Sequence, residues 1–197
     1  PYHCTGKFND TELGGEVIPD SDLSRKRCKE WIDALKLHHS DDKRIDSIVS
    51  SYMMNSIPHH KDRMACLALI AALCTKDTNV HICCTGIATF KSRAKNFVDP
   101  AMETNMTLGK SLKAFKVQKY FYPEELQKML EVFFIDVECI QVGGVCYAHA
   151  KYPRRPRKEI LQEAIEIEFD LPYADGTTMG LVDEAKELFS QLTGLAL

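Results

Sequence analysis

At 197 residues and 45% apolar side chains, the chain can build one large domain or two small ones and is too apolar to be disordered. A formal charge of −3 gives no global pull toward nucleic acid or an anionic membrane, so any such contact needs a local basic patch. Eight cysteines are few for a disulfide scaffold of this length, and Cys66, Cys74 and Cys83 stand in apolar surroundings, so a reducing compartment is expected.

Residues 1–19 carry Gly6, Gly14, Gly15 and Pro19 without a period and read as an irregular arm. No secretory apolar region is visible at the start, and Pro1 suggests a processed or trimmed terminus. Asp20, Ser21 and Asp22 offer caps for a first helix, in which Leu23, Arg27 or Cys28, Trp31 and Leu35 keep helical spacing. Ile45, Ile48, Val49, Tyr52 and Met53 fall at i, i+3, i+4, i+7 and i+8, which predicts a second helix closed by Pro58. Met64–Cys74 is the longest run without a polar side chain. It reads as a central core helix rising about 16 Å, whereas a bilayer span needs about 20 residues.

Val80, Cys83, Cys84, Ile87, Phe90 and Ala94 keep helical period, and a helix is expected, although His81–Thr85 also suits a strand. Asp99-Pro100 starts a further expected helix through Met102, Met106, Leu108, Leu112 and Phe115. Tyr122-Pro123-Glu124-Glu125 starts another, with an apolar stripe of Leu126, Met129, Leu130, Phe133 and Phe134. Val137–His149 reads as a hairpin around Gly143-Gly144. Lys151–Lys158 is a basic linker. Ile160, Leu161, Ala164 and Ile165 predict a helix, with strand-like alternation from Ile165 to Leu171. Thr177 or Thr178 caps a last helix through Leu192. The expected fold class is therefore mainly α: a multi-helix bundle in two helical subdomains, with a short β-hairpin near 137–149. The expected divisions are an arm at 1–19, a helical core at 20–150, the linker at 151–158 and a helical subdomain at 159–197.

Four chemistries are weighed against this frame. Cys139, Cys146 and His149 form one candidate metal cluster, and Cys74, His81, Cys83 and Cys84 another. Neither has the paired short spacings of a zinc site, so no metal is assigned. No cysteine sits in a nucleophile signature, and Asp136 with Glu138 does not complete a carboxylate site, so no catalytic residue, no cofactor and no enzyme activity are expected. The doublets His38-His39 and His59-His60 flank helix ends and are candidate pH sensors. Polyanion binding has four candidate clusters. These are Arg25, Lys26 and Arg27; Lys91, Arg93 and Lys95; Lys110, Lys113, Lys116 and Lys119; and Lys151, Arg154, Arg155, Arg157 and Lys158.

One family resemblance joins these readings. Asp42-Lys43, the amphipathic helix after it, His59-His60-Lys61, the run Ala65-Cys66-Leu67-Ala68-Leu69-Ile70 and the segment through Cys83-Cys84 resemble the middle of an orthomyxovirus matrix protein, of the smaller isavirus type. The resemblance covers residues 42–95. It implies a structural virion protein beneath the envelope, seen also in host cytoplasm and nucleus, with no transmembrane segment. It would self-associate and bind anionic lipid and viral ribonucleoprotein or RNA, with no small-molecule substrate. The alternatives are an RNA-binding regulatory module and, third, a thiol- or metal-dependent enzyme.

Overall fold

The stretch Ser47–Ser51 is a strand, β1, and not part of the helix that its spacing predicts. The computed structural model describes residues 21–40, 44–89, 105–110, 115–170, 172 and 176–197. It divides into two units, one of Pro1–Arg44 with Arg157–Leu197, in their described parts, and one of Ile45–Pro156.

The Ile45–Pro156 unit is built on β1, helix α2 (His60–Leu73) and strand β2 (Asn79–Thr85), with β1 and β2 parallel. A parallel pair needs a crossover, and the apolar run after Pro58 supplies it as a helix. Alternation decides β2: Val80, Ile82 and Cys84 are buried while His81, Cys83 and Thr85 are half-exposed. A helical period fits the same letters, but a period of 2 fits the burial. The expected hairpin is present and longer than foreseen, as β5 (Phe134–Val142) and β6 (Val145–Pro153). Strand β6 runs antiparallel to β2, and the sheet order is β1-β2-β6-β5.

Helix α2 buries eight of its residues, and helix α3 (Pro123–Glu131) buries Leu126, Met129 and Leu130. Both helices lie on the sheet face that carries Cys84 and Cys146. Arg63 of α2 acts electrostatically on Cys84, and Glu124 and Glu125 of α3 act on Cys146. The helix expected after Asp99-Pro100 is corrected where it is described: Met106–Lys110 (β3) and Phe115–Lys119 (β4) form an antiparallel pair. Residues 1–19 and 90–104 lie outside the described residues.

The other unit is helical. Helices α1 (Ser21–Ser40), α4 (Lys158–Phe169) and α5 (Val182–Thr193) bury Cys28 and Ile32, Leu161, Ala164 and Ile165, and Ala185, Leu188 and Phe189. Trp31 stacks on Phe169 with ring centroids 6.2 Å apart, and Phe169 meets Phe189 edge-on at 6.3 Å. The strand-like alternation from Ile165 is overridden, since α4 runs on to Phe169. The last helix is capped at Leu181 rather than at a threonine, and ends on Gly194 with φ 65°.

The fold class is thus corrected from a mainly α bundle to α/β. A mixed four-stranded sheet with helices on one face carries the larger unit. Among the described residues, no helix is long and apolar enough to cross a membrane.

Candidate functional site

In an open sheet with parallel strands, the carboxyl ends are where loops gather and where ligands sit. Here β1 ends at Ser51 and β2 at Thr85. Tyr52 follows β1 with φ 56°, a left-handed conformation that a tyrosine adopts only under constraint from its surroundings. Its N–H still donates to the Cys83 carbonyl at 2.8 Å, so the turn leaves β1 only after one last rung of the ladder. The chain then drops into the short 3-10 turn Met54–Ser56, which buries Met54 and Asn55.

Asn55 is the joint of the site. The Thr85 N–H donates to Asn55 Oδ1 at 2.9 Å, and Asn55 Nδ2 donates to the Lys119 carbonyl. One buried amide therefore ties the end of β2 to the end of β4. Gln118 Nε2 donates to Thr85 Oγ1 at 2.9 Å. The backbone repeats the tie: Phe121 N–H reaches the Thr85 carbonyl and Ile87 N–H the Phe121 carbonyl, both at 2.9 Å.

Lys119 is 1% exposed, and its ammonium donates to Glu125 Oε1 at 2.7 Å. Glu125 lies in the first turn of α3, where the helix dipole favours a carboxylate, and its side chain is 32% exposed. The Lys119 ammonium lies 5.7 Å from the Phe121 ring centre and the Arg63 guanidinium 6.0 Å from it. Both are at cation–π range. The result is a polar cluster with a fixed interior and a reachable carboxylate, drawn from four separate elements.

Sequence reasoning singled out Lys119 only as one of a row of surface lysines, and passed over Asn55, Thr85 and Gln118. The missed signal was a short β-prone run on each side of an apolar helix, the pattern of a parallel βαβ unit.

The other predicted residues are placed as follows. Arg25 donates to the Met179 carbonyl at 3.0 Å and also to that of Thr178, Lys26 pairs with Glu30 at 4.0 Å and Arg27 is exposed. An open basin of about 660 Å³ on the helical unit includes Asp22, Arg25, Lys26, Lys29 and Glu184. Its cations are largely answered by its own carboxylates and carbonyls. Arg154 donates to the Phe134 carbonyl at 3.2 Å, Arg155, Arg157 and Lys158 are exposed, and Lys151 is half-buried on β6. Lys110 and Lys116 belong to β3 and β4, while Lys91, Arg93, Lys95 and Lys113 lie outside the described residues. His38 and His39 sit in the last turn of α1, and His59 and His60 are exposed at the start of α2.

Strand alternation breaks both candidate metal clusters. His81 and Cys83 face away from Cys84, and His149 faces away from Cys146. Among the described residues, no group of three or more histidines, cysteines and carboxylates could hold a metal ion. Burial pushes the thiols of Cys74 and Cys139 up to about 12 and that of Cys146 to about 11. They are protonated at neutral pH, which argues against a thiolate nucleophile among them.

No protein-family model and no curated protein matches the chain. Solved structures share part of its shape. A DhpI complex with SAM and HEP has a TM-score of 0.39 and 15% identity, covering 55% of this chain and 50% of that one. A DhpI–SAH complex has a TM-score of 0.38 and 14% identity, covering 55% and 48%. The CcbJ methyltransferase from Streptomyces caelestis has a TM-score of 0.37 and 10% identity, covering 55% and 58%. The matched part is thus about half the length of each of those chains.

The expectation of a non-enzymatic, all-helical matrix-type protein is corrected. With it go self-assembly, anionic membrane and ribonucleoprotein as assigned partners, and the exclusion of a small-molecule substrate. That reading drew on a helical bundle, and the segment that carried the resemblance is instead β1, α2 and β2 of a mixed sheet. The similar structures are those of a methyltransferase and of a protein with small molecules bound.

Proposed function

We propose that the chain carries a small-molecule-binding α/β domain of an enzyme, with its site at the carboxyl ends of β1 and β2. The observation that carries this reading is the convergence of Asn55, Thr85, Gln118 and the Lys119–Glu125 pair on that end of the sheet. A buried hydrogen-bonded network costs desolvation energy that a purely apolar joint would not, and it fixes polar groups in one geometry. Glu125 is the group a ligand reaches, held by Lys119 behind it. A carboxylate placed in this way can accept a proton or hold a donor of the substrate.

The test is an NMR titration of the ¹⁵N-labelled chain with a panel of small polar molecules, beginning with SAM and SAH and extending to nucleosides, amino acids and organic acids. Saturable shifts centred on Ser51, Tyr52, Thr85, Gly86 and Gln118 are expected. Glu125→Ala should weaken the binding at least about tenfold, which is about 1.4 kcal/mol. Saturable shifts confined to the opposite end of the sheet or to the helical unit would overturn the assignment.

A further inference from the structure

The sheet face away from α2 and α3 carries a cluster that the proposed site does not use. His81 of β2 and His149 of β6 are register partners on adjacent strands. Their rings stack at 4.9 Å between centroids, with planes 11° apart. Each ring is tied down through one nitrogen. His81 Nδ1 shares a 2.7 Å hydrogen bond with the Tyr147 hydroxyl, and His149 Nε2 shares one of 3.1 Å with Asn79 Oδ1. An amide oxygen only accepts, so His149 carries its proton on Nε2. Both rings are half-exposed, and exposed Val49 and Glu138 stand opposite them on the outer strands.

We propose that His81 and His149 form a proton switch on the open sheet face: the neutral stack holds β2 to β6, and a second proton on it breaks the stack. Two parallel imidazoles at this spacing can share one positive charge, because Glu138, opposite His149, compensates it. Two charges repel at close range, and with His81 Nδ1 protonated the Tyr147 hydroxyl can only accept from it. The other facing groups are Lys151 two residues beyond His149 on β6, its register partner Asp136 on β5, and Cys83 on β2. Described β1 residues add no titratable group to this face. Lys151 works in the same direction as the second imidazole, against charge on His81. The His81 pKa is lowered from its ordinary 6.5, first by burial and then by His149 and Lys151.

An unfolded histidine takes up its proton near pH 6.5, and folded His81 does so lower, so the unfolded chain binds more protons in between. The stack's contribution is complete above about pH 6.5 and is lost as pH falls through the folded value.

The experiment follows the imidazole nitrogens of the full chain by NMR from pH 4 to 8, in the wild type and in His149→Gln. Two separate steps are expected for the pair, with the His81 step below the ordinary histidine range and broadening of Tyr147 and His81 amides accompanying it. In His149→Gln the His81 step should move up toward 6.5. Coincident titration of both rings, or a His81 midpoint unmoved by His149→Gln, would overturn the switch. Should that variant unfold, His149→Phe keeps a stacking ring without a second proton and must give the same upward shift.

Discussion

Gly86 closes β2 at the point where three chain segments meet. Its N–H donates to the Gly144 carbonyl at 2.8 Å, and a β-carbon built there would lie 3.2 Å from the Cys146 nitrogen and 3.3 Å from the Val145 carbonyl carbon. These neighbours are backbone and cannot rotate away. Gly86→Ala should therefore destabilise the sheet unit by about 1–3 kcal/mol, read as a lower urea midpoint. Tyr52 makes the contrasting case. Its φ of 56° costs a non-glycine residue about 1–2 kcal/mol, so Tyr52→Gly should leave stability unchanged or raised while weakening ligand binding. A loss of stability with binding intact would make Tyr52 a packing residue and remove it from the site. Neither position announces itself in the sequence. Gly86 reads as a weak spot in a helix, because close backbone approach depends on strands more than 50 residues away. Tyr52 reads as one more member of an apolar stripe.

At the scale of elements, the helices with their own punctuation were legible. Pro123 with two acids fixes the start of α3, and the unbroken apolar run from Met64 identifies α2. The hairpin was legible too, because Gly143-Gly144 marks it locally. Strands β1, β3 and β4 were not, and β2 was legible only as the alternative to a helix at His81–Thr85. Each is five to seven residues long, and over so few positions periods of 2 and 3.6 select overlapping residues. Ile48 and Val49 are adjacent and share one helical face, whereas the strand puts them on opposite faces, Ile48 half-buried and Val49 exposed, and only pairing with Val80 and His81 settles the matter. Long-range pairing outweighs local spacing here because α2 can bury its apolar surface only on a sheet. Hence α2 should be the sensitive element. Leu67 is fully buried at its centre, and Leu67→Ala should cost about 2–5 kcal/mol through lost burial and a residual cavity. A cost below 1 kcal/mol by chemical denaturation would show that α2 is not the covering layer of this sheet.

For the whole molecule, the decisive groupings join residues that are remote in the chain: 55, 85, 118, 119 and 125 at the site, 81 and 149 on the open face, and 84, 139 and 146 beneath the helices. Spacing arguments treated Cys139, Cys146 and His149 as neighbours, and the pleat puts them on different faces. The thiols beneath the helices give the last prediction. Cys84, Cys139 and Cys146 are free, lie near one another on the covered face, and have pKa values raised first by burial, then by neighbouring thiols for Cys84 and Cys139 and by Glu124 and Glu125 for Cys146. The unfolded thiols ionise near 9, whereas folded Cys146 does so at about 11 and folded Cys139 at about 12. Below about pH 8 the two states bind equal numbers of these protons and the thiols leave stability independent of pH. Between 9 and 12 the folded chain holds protons that the unfolded chain has released, so raising the pH favours unfolding. In reductant, the urea midpoint of the sheet unit, followed through β2 amides, should fall between pH 8 and 10.5. Replacing all three cysteines by alanine should lower the midpoint at pH 8 and flatten this alkaline decline. An equally steep decline in the triple variant would assign the alkaline sensitivity to other groups, and would mean that these thiols ionise in the folded chain as readily as in water.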